Sequence, residues 1–189
     1  LNMAFELAKI NLGSTKKNPS VGCVVEKNGS IISSGYTSTN GQPHAEFNAL
    51  NKKIDFKNSN LYVTMEPCSH YGKSPPCTKI IIKKGVRKVY YSIDDYDLRS
   101  KKKSKKILNF KKILVKKNIL KKRGLKFYKS FQSLKTKKSP LIDAKIALSK
   151  DYFSINKHSK WITNESSLKL AHLLRSKYNV IISTSKSIN

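Results

Sequence analysis

His44, Cys68 and Cys77 are the residues of this 189-residue chain best suited to hold a metal ion, and Glu46 stands two positions beyond the first of them. A catalytic zinc takes three protein ligands and keeps a fourth corner open for water. One imidazole and two thiolates meet that count, and the two thiolates cancel the charge of the ion. Water at such a site ionises near pH ~7, against ~9 on aqueous zinc. Glu46 lies too close to His44 along the chain to add a fourth ligand from the same helix turn. It is read instead as a proton carrier, able to take a proton from the water and pass it on. A structural zinc prefers four protein ligands, and His70 is the residue that would complete such a set, so both readings stand at this point. Cys23, within Val21-Gly22-Cys23-Val24-Val25, reads as a buried small apolar residue.

The elements around these residues follow from local pattern. Pro43 fits a helix start, and Phe47, Ala49 and Leu50 continue the run, so a helix is expected over 44–53. Pro75-Pro76 precede Cys77, and a helix over 76–84 ends at Gly85, which suits a left-handed cap. His44 and Cys77 thus fall in first helical turns, where anions are stabilised and thiol pKa values lowered. Cys68 follows an apolar strand over 60–64. Upstream, a helix over 1–12 carries Met3, Leu7 and Ile10 along one stripe, and strands over 20–27 and 31–37 flank Asn28-Gly29, a strong hairpin signal. Downstream, a strand is expected over 88–93, a helix over 101–110 and a short strand over 112–115. Alternating strands and helices imply a sheet covered on both faces.

The order His-x-Glu, Pro-Cys, Cys resembles the pattern of zinc-dependent deaminases, except that eight residues separate the two cysteines instead of two. The stretch Thr64-Met65-Glu66-Pro67-Cys68-Ser69-His70-Tyr71-Gly72-Lys73-Ser74-Pro75-Pro76-Cys77, with Asn18-Pro19-Ser20-Val21-Gly22-Cys23-Val24 and Gly41-Gln42-Pro43-His44-Ala45-Glu46, resembles the bifunctional deaminase/reductase family of riboflavin biosynthesis. That resemblance implies a cytidine-deaminase-like three-layer α/β/α sandwich. It implies zinc on His44, Cys68 and Cys77, with Glu46 as proton donor. It also implies a diamino-pyrimidinone substrate bearing a ribosylamino 5′-phosphate, whose 2-amino group is hydrolysed. Asn18 would meet the pyrimidine edge, and His70 and Lys73 the phosphate or carbonyls.

Further along, Ser149-Lys150-Asp151-Tyr152, Ser159-Lys160-Trp161-Ile162-Thr163 and Leu173-Leu174-Arg175 resemble the reductase part of the same family. The implied second unit is the first part of a dihydrofolate-reductase-like α/β domain. In it Trp161 and Ser187 would contact NADPH, and Ser159 and Arg175 the substrate. A strand-like 141–149, a helix over 165–175 begun by Thr163-Asn164, and an apolar strand over 179–183 fit that order. Tyr152 stands where the family has Gly, so a different backbone turn is expected there. The expected organisation is a deaminase domain over 1–117, a basic connector over 118–138 and an incomplete reductase domain over 139–189. The chain is expected to be a piece of a longer protein, since it opens on Leu1 and closes on Asn189 early in the second unit.

The formal charge of +28 would ordinarily point to nucleic acid. Only Arg87, Arg99, Arg123 and Arg175 are arginine among the 39 basic residues. Arginine is the residue favoured for phosphate and base recognition. The lysines crowd 98–142, which holds no acidic residue, and long lysine stems suit a solvated surface. Nucleic acid is therefore disfavoured as a partner, although a deaminase acting on a base in RNA, or a zinc-stabilised binding module without catalysis, remains as an alternative. A homo-oligomer is expected. No apolar run approaches the ~20 residues that span a bilayer, and three cysteines with two assigned to metal argue for a reducing cytoplasm.

Overall fold

The computed structural model describes residues 1–72, 74–137, 139–154, 161–178 and 180–183. The chain divides into two compact units, Leu1–Leu141 and Ile142–Asn189. The first carries α1 (Asn2–Lys9), β1 (Gly22–Lys27), β2 (Ser30–Tyr36), α2 (Ala45–Leu50), β3 (Asn60–Met65), α3 (Cys77–Lys83), β4 (Lys88–Ile93), α4 (Ser104–Phe110), β5 (Leu114–Lys116), α5 (Lys121–Phe127) and α6 (Lys129–Gln132). Its sheet runs β2-β1-β3-β4-β5. β1 is antiparallel to both β2 and β3, whereas β3, β4 and β5 are parallel. The expected hairpin is present: Asn28 and Gly29 both take positive φ, 53° and 80°, the backbone that a two-residue turn matched to strand twist requires.

Helices cover both faces, giving the expected three layers. One face of the sheet buries Cys23, Val25, Leu61, Val63, Val89 and Tyr91. Ala45, Ala49 and Leu50 of α2, Ile81 of α3 and Leu108 of α4 belong to the same core. Two glycines set how closely the layers approach. A Cβ on Gly35 would lie 2.5 Å from the Ala45 carbonyl oxygen of α2, and one on Gly22 would lie 2.8 Å from the Ala8 nitrogen of α1. No side chain fits either gap, so each helix rests directly on the strand backbone. This close seating packs α2 onto β1 and β2, beside α3.

The compact unit reaches Leu141 and so takes in the stretch that the sequence reading sets aside as a connector. Tyr128 is buried, and its hydroxyl meets Thr64 Oγ1 at 2.5 Å and donates to the Ser20 carbonyl at 3.0 Å. Phe127 packs edge-on against Phe5 of α1 at 5.6 Å, and the Arg123 guanidinium lies 4.9 Å above the same Phe5 ring. Two aromatic rings anchor a segment whose lysines face water. The basic composition masks them because it reports the solvent side alone.

The second unit holds α7 (Glu165–Arg175), begun as expected by Asn164, whose side chain accepts from the Ser167 N–H at 2.9 Å. The strands expected over 141–149 and 179–183 are not seen where residues are described, at 141–149 and 180–183; Asn179 lies outside the described residues. The dihydrofolate-reductase-like architecture is accordingly not displayed here. The reason is physical. A strand needs a neighbour for its backbone groups, and the apolar residues Ile146, Val180 and Ile182 stand exposed, without a sheet or a covering layer. Tyr152 does adopt the turn that a glycine would make, at φ 68°. The turn is closed by Tyr152 N–H to Ser149 O at 3.0 Å and Phe153 N–H to Ser149 Oγ at 2.9 Å. The left-handed backbone costs a non-glycine residue about 1 kcal/mol, which these bonds offset. Among the described residues, no helix is long and apolar enough to cross a membrane.

Tyr128→Phe leaves the buried Ser20 carbonyl and Thr64 hydroxyl without their phenolic partner. Urea unfolding followed by circular dichroism is expected to show a loss of about 1–3 kcal/mol. A loss below about 0.3 kcal/mol would mean that the phenol bonds are not what seats this segment.

Candidate metal centre

The ligand atoms of His44, Cys68 and Cys77 all lie within 4.8 Å of one another, as the sequence pattern predicts. Each comes from a different element. His44 is the residue that caps the start of α2, with extended backbone at φ −71°, ψ 158°. Cys68 lies in the loop that leaves β3, and Cys77 opens α3. The His44 Nδ1 is 3.6 Å from Cys68 Sγ and 3.4 Å from Cys77 Sγ. A tetrahedral zinc with ordinary Zn–N and Zn–S bonds sets such atoms about 3.6 Å apart. The donor set and its spacing therefore fit zinc. Backbone bonds hold the two cysteine segments together: Cys77 N–H donates to Cys68 Sγ at 3.2 Å, and Thr78 N–H to Cys68 O at 3.2 Å.

Without an ion the cluster shares its protons unequally. The Cys68 thiol is drawn down to about 4, chiefly by the hydrogen bond from the Cys77 thiol. Cys77 is pushed up, first by that same bond and then by burial. His44 is raised, mainly by its hydrogen bond to Cys68. Glu46 is 4 % exposed. Its carboxyl is pushed up to about 7, first by burial and then by the charge on Cys68, while a hydrogen bond from Cys77 opposes the shift. His44, Cys68 and Cys77 are thus the residues whose charges and hydrogen bonding act on this acid. A cavity of about 500 Å³ reaches His44 and Cys77, walled by Gln42, Phe47, Pro76 and Ile80 among others.

His70 is not part of the cluster. Among the described residues the metal group is His44, Cys68 and Cys77 alone, and His70 Nδ1 is engaged by Ser100 Oγ at 2.6 Å. The four-ligand structural reading thereby loses its fourth residue. Asn18 donates through its amide nitrogen to the Gly41 carbonyl at 2.8 Å, bracing the segment that leads to His44. Lys73, Ser159 and Ser187 lie outside the described residues. Trp161 and Arg175 belong to the second unit, where Trp161 is half exposed and Arg175 Nη1 stands 3.4 Å from His172 Nδ1.

Sequence reasoning assigned no role to Glu66, which organises the neighbouring loop. Its buried carboxylate accepts from the Asp95 N–H at 3.0 Å and the Lys102 N–H at 2.9 Å. It also accepts from the Ser104 N–H at 3.2 Å and the Ser104 hydroxyl at 2.8 Å. The loop so fixed presents Ser100 Oγ to the Ser69 N–H at 3.1 Å as well as to His70. The one available signal was an acidic residue directly beyond an apolar strand, a place where burial of the strand end makes an unpaired carboxylate costly.

A mixed five-stranded sheet with a His/Cys/Cys cluster beyond the end of its central strand and a buried glutamate nearby defines a cytidine-deaminase-like zinc protein. Residues 1–93 match the cytidine and deoxycytidylate deaminase zinc-binding region. The diaminohydroxyphosphoribosylamino-pyrimidine deaminase of Buchnera aphidicola subsp. Schizaphis graminum is 38% identical over 132 residues, covering 69% of this chain and 90% of that protein. The chain belongs to this family of riboflavin-biosynthesis deaminases. The riboflavin biosynthesis protein RibD of Aquifex aeolicus is 37% identical over 186 residues, 96% of this chain and 52% of that one. Among solved structures, RibD of Acinetobacter baumannii superposes with a TM-score of 0.80 at 35% identity, covering 93% of this chain and 50% of that one. The chain spans about half the length of these longer relatives.

Two outcomes are expected. Zinc at a thousandfold excess over its dissociation constant is expected to stabilise the metal-free chain by about 4 kcal/mol, read as a rise in melting temperature; Cys68→Ser is expected to abolish that rise. The Asp95 carboxyl, pushed up to about 6 chiefly by burial, favours the protonated form in the folded chain. Its contribution is present at pH below ~4, where the unfolded carboxyl is also protonated, and is lost as pH rises towards about 6. Melting curves across that window are expected to show Asp95→Asn gaining stability relative to the native chain as pH rises, then holding level. A constant difference from pH 3 to 7 would remove Asp95 as the cause.

Proposed function

We propose that the chain catalyses hydrolytic deamination of 2,5-diamino-6-(5-phosphoribosylamino)pyrimidin-4-one in riboflavin biosynthesis. The observation that carries this reading is the three-ligand cluster with a buried carboxyl against it. His44, Cys68 and Cys77 would hold zinc, which would supply Lewis acidity that eases the ionisation of water. Glu46 takes a proton from that water and delivers it to a ring nitrogen and then to the departing amine. The C–N bond at position 2 breaks as a C–O bond forms, and nitrogen leaves as ammonia. Burial raises the proton affinity of the Glu46 carboxyl, which suits it to accept a proton and pass it on. With the Asn18 nitrogen engaged by Gly41, contact with the pyrimidine falls to Asn18 Oδ1. His70 and Lys73 serve the carbonyls or the phosphate.

A solved relative of which this chain spans half is named a deaminase and 5-amino-6-(5-phosphoribosylamino)uracil reductase, which supports a second step in such relatives; we read that step as NADPH-dependent reduction of the ribosyl group to ribityl. In that reading Trp161 and Ser187 contact NADPH, and Ser159 and Arg175 contact substrate. The reading includes a homo-oligomer and a reducing cytoplasm, where free thiols persist.

Glu46→Gln is expected to retain zinc and lose about 10²–10⁴ in turnover, measured as ammonia released from the phosphorylated diamino-pyrimidinone. A chelator is expected to stop the release in the native chain. Undiminished ammonia from Glu46→Gln would exclude Glu46 as the proton carrier, and NADPH oxidation in the same mixture reads the second step.

A further inference from the structure

The His44 ring contacts the protein through both nitrogens. Nδ1 faces the two sulfurs at 3.6 and 3.4 Å, and Nε2 lies 3.0 Å from the side-chain amide of Gln42, whose nitrogen is placed towards the ring and whose oxygen takes that place on a half-turn of the carboxamide. Only an unprotonated ring nitrogen can give its lone pair to a metal, so a ligating Nδ1 requires the ring proton on Nε2. That N–H needs an acceptor. Of the two ends of a carboxamide, only the oxygen accepts, and the two ends fill the same space, so the 3.0 Å contact serves either way round.

We infer that Gln42 is a positioning residue of the zinc centre: its amide oxygen accepts the Nε2–H of His44 and holds the ring in the tautomer that leaves Nδ1 for the metal. This rests on the zinc site and not on the identity of the substrate. The backbone around Gln42 is built to keep the contact. Gly41, before it, gives its carbonyl to Asn18 at 2.8 Å, and Pro43, after it, gives its carbonyl to the Ser38 N–H at 3.0 Å. Gln42 itself is extended, at φ −144°, ψ 141°, and half-buried. Gln42 and His44 line the same cavity, so the bond forms at the wall, where bulk water competes less than on an open surface.

The mechanism is orientation with neutrality. A carboxylate at this position would accept the same proton more strongly and raise the basicity of the imidazole, at the expense of one more negative charge beside two thiolates. The carboxamide fixes ring direction and proton without adding that charge. Losing such a partner weakens metal affinity by about 10–100-fold in comparable centres.

The test is competition between the full 189-residue chain and a chelator of known zinc affinity. Gln42→Leu, which fills similar space without an acceptor, is expected to bind zinc about 10–100-fold more weakly. Gln42→Glu is expected to bind at least as tightly as the native chain. Nitrogen-15 spectra of the zinc-loaded protein are expected to show His44 metallated at Nδ1 and protonated at Nε2, with the Nε2 proton exchanging faster in Gln42→Leu. Native affinity in Gln42→Leu, or a Gln42→Glu variant as weak as Gln42→Leu, would overturn the inference. Should Gln42→Leu also lower the melting temperature of the metal-free chain, the Glu variant and the exchange rate of the Nε2 proton decide. Failure to release ammonia from the pyrimidine bears on the proposed reaction alone, because the readout here is zinc affinity.

Discussion

Two thiols, an imidazole and a carboxyl converge on one small volume near the end of β3, and their mutual charge is the constraint that the surrounding structure serves. These groups cannot all be ionised in a place shielded from water. The metal-free chain resolves the conflict by sharing protons: Cys68 is drawn down to about 4, Cys77 is pushed up, and Glu46 is pushed up to about 7. A divalent cation resolves it differently, by compensating both sulfurs and favouring the Glu46 carboxylate. Chemistry at neutral pH depends on that second solution. The backbone must therefore hold four mutually unfavourable groups in register before the ion arrives. The bonds from Cys77 N–H and Thr78 N–H to Cys68 supply part of that restraint.

Two buried glutamates show how environment divides structure from chemistry. Glu66 receives hydrogen bonds from Asp95, Lys102 and Ser104, including the Ser104 hydroxyl, and its charge is spent on fixing a loop. Glu46 is equally enclosed but faces thiols, so burial raises its pKa. One carboxylate is held by four hydrogen bonds from a loop, and the other is enclosed among the ligand residues. The loop that Glu66 fixes returns to the site through Ser100, which holds Ser69 and His70 beside the ligand Cys68. Structural and reactive roles are thus joined within a few residues.

The lysine-rich stretch after β4 has a similar double character. Its charges face water, while Phe127 and Tyr128 reach back to α1, Ser20 and Thr64. The deaminase core is consequently larger than its metal motif, and what looks like a tether is part of the packing. The second unit differs in kind. Its helix is capped and formed, and Tyr152 keeps a turn suited to glycine, yet the apolar stretches on either side expose Ile146 and Ile182. Local signals there are satisfied, while among the described residues the longer-range pairing that would make a sheet is not.

Much of this protein is legible in one dimension because its decisive signals are local. The Asn28-Gly29 turn, the strand periodicities, the left-handed cap at Gly85 and the ligand types at 44, 68 and 77 are short-range consequences of residue chemistry. Each is recovered with boundaries that shift by a few residues, since the ends of elements are decided by competing hydrogen bonds. Tertiary structure alone decided the rest. Whether a cysteine near a helix start is the acidic one, whether His70 joins the metal or Ser100, whether Glu66 is paired, and whether residues 118–138 tether or pack all depend on partners far away in sequence. Proton affinity and burial are set by what surrounds a group in space, and a linear pattern records only what precedes and follows it.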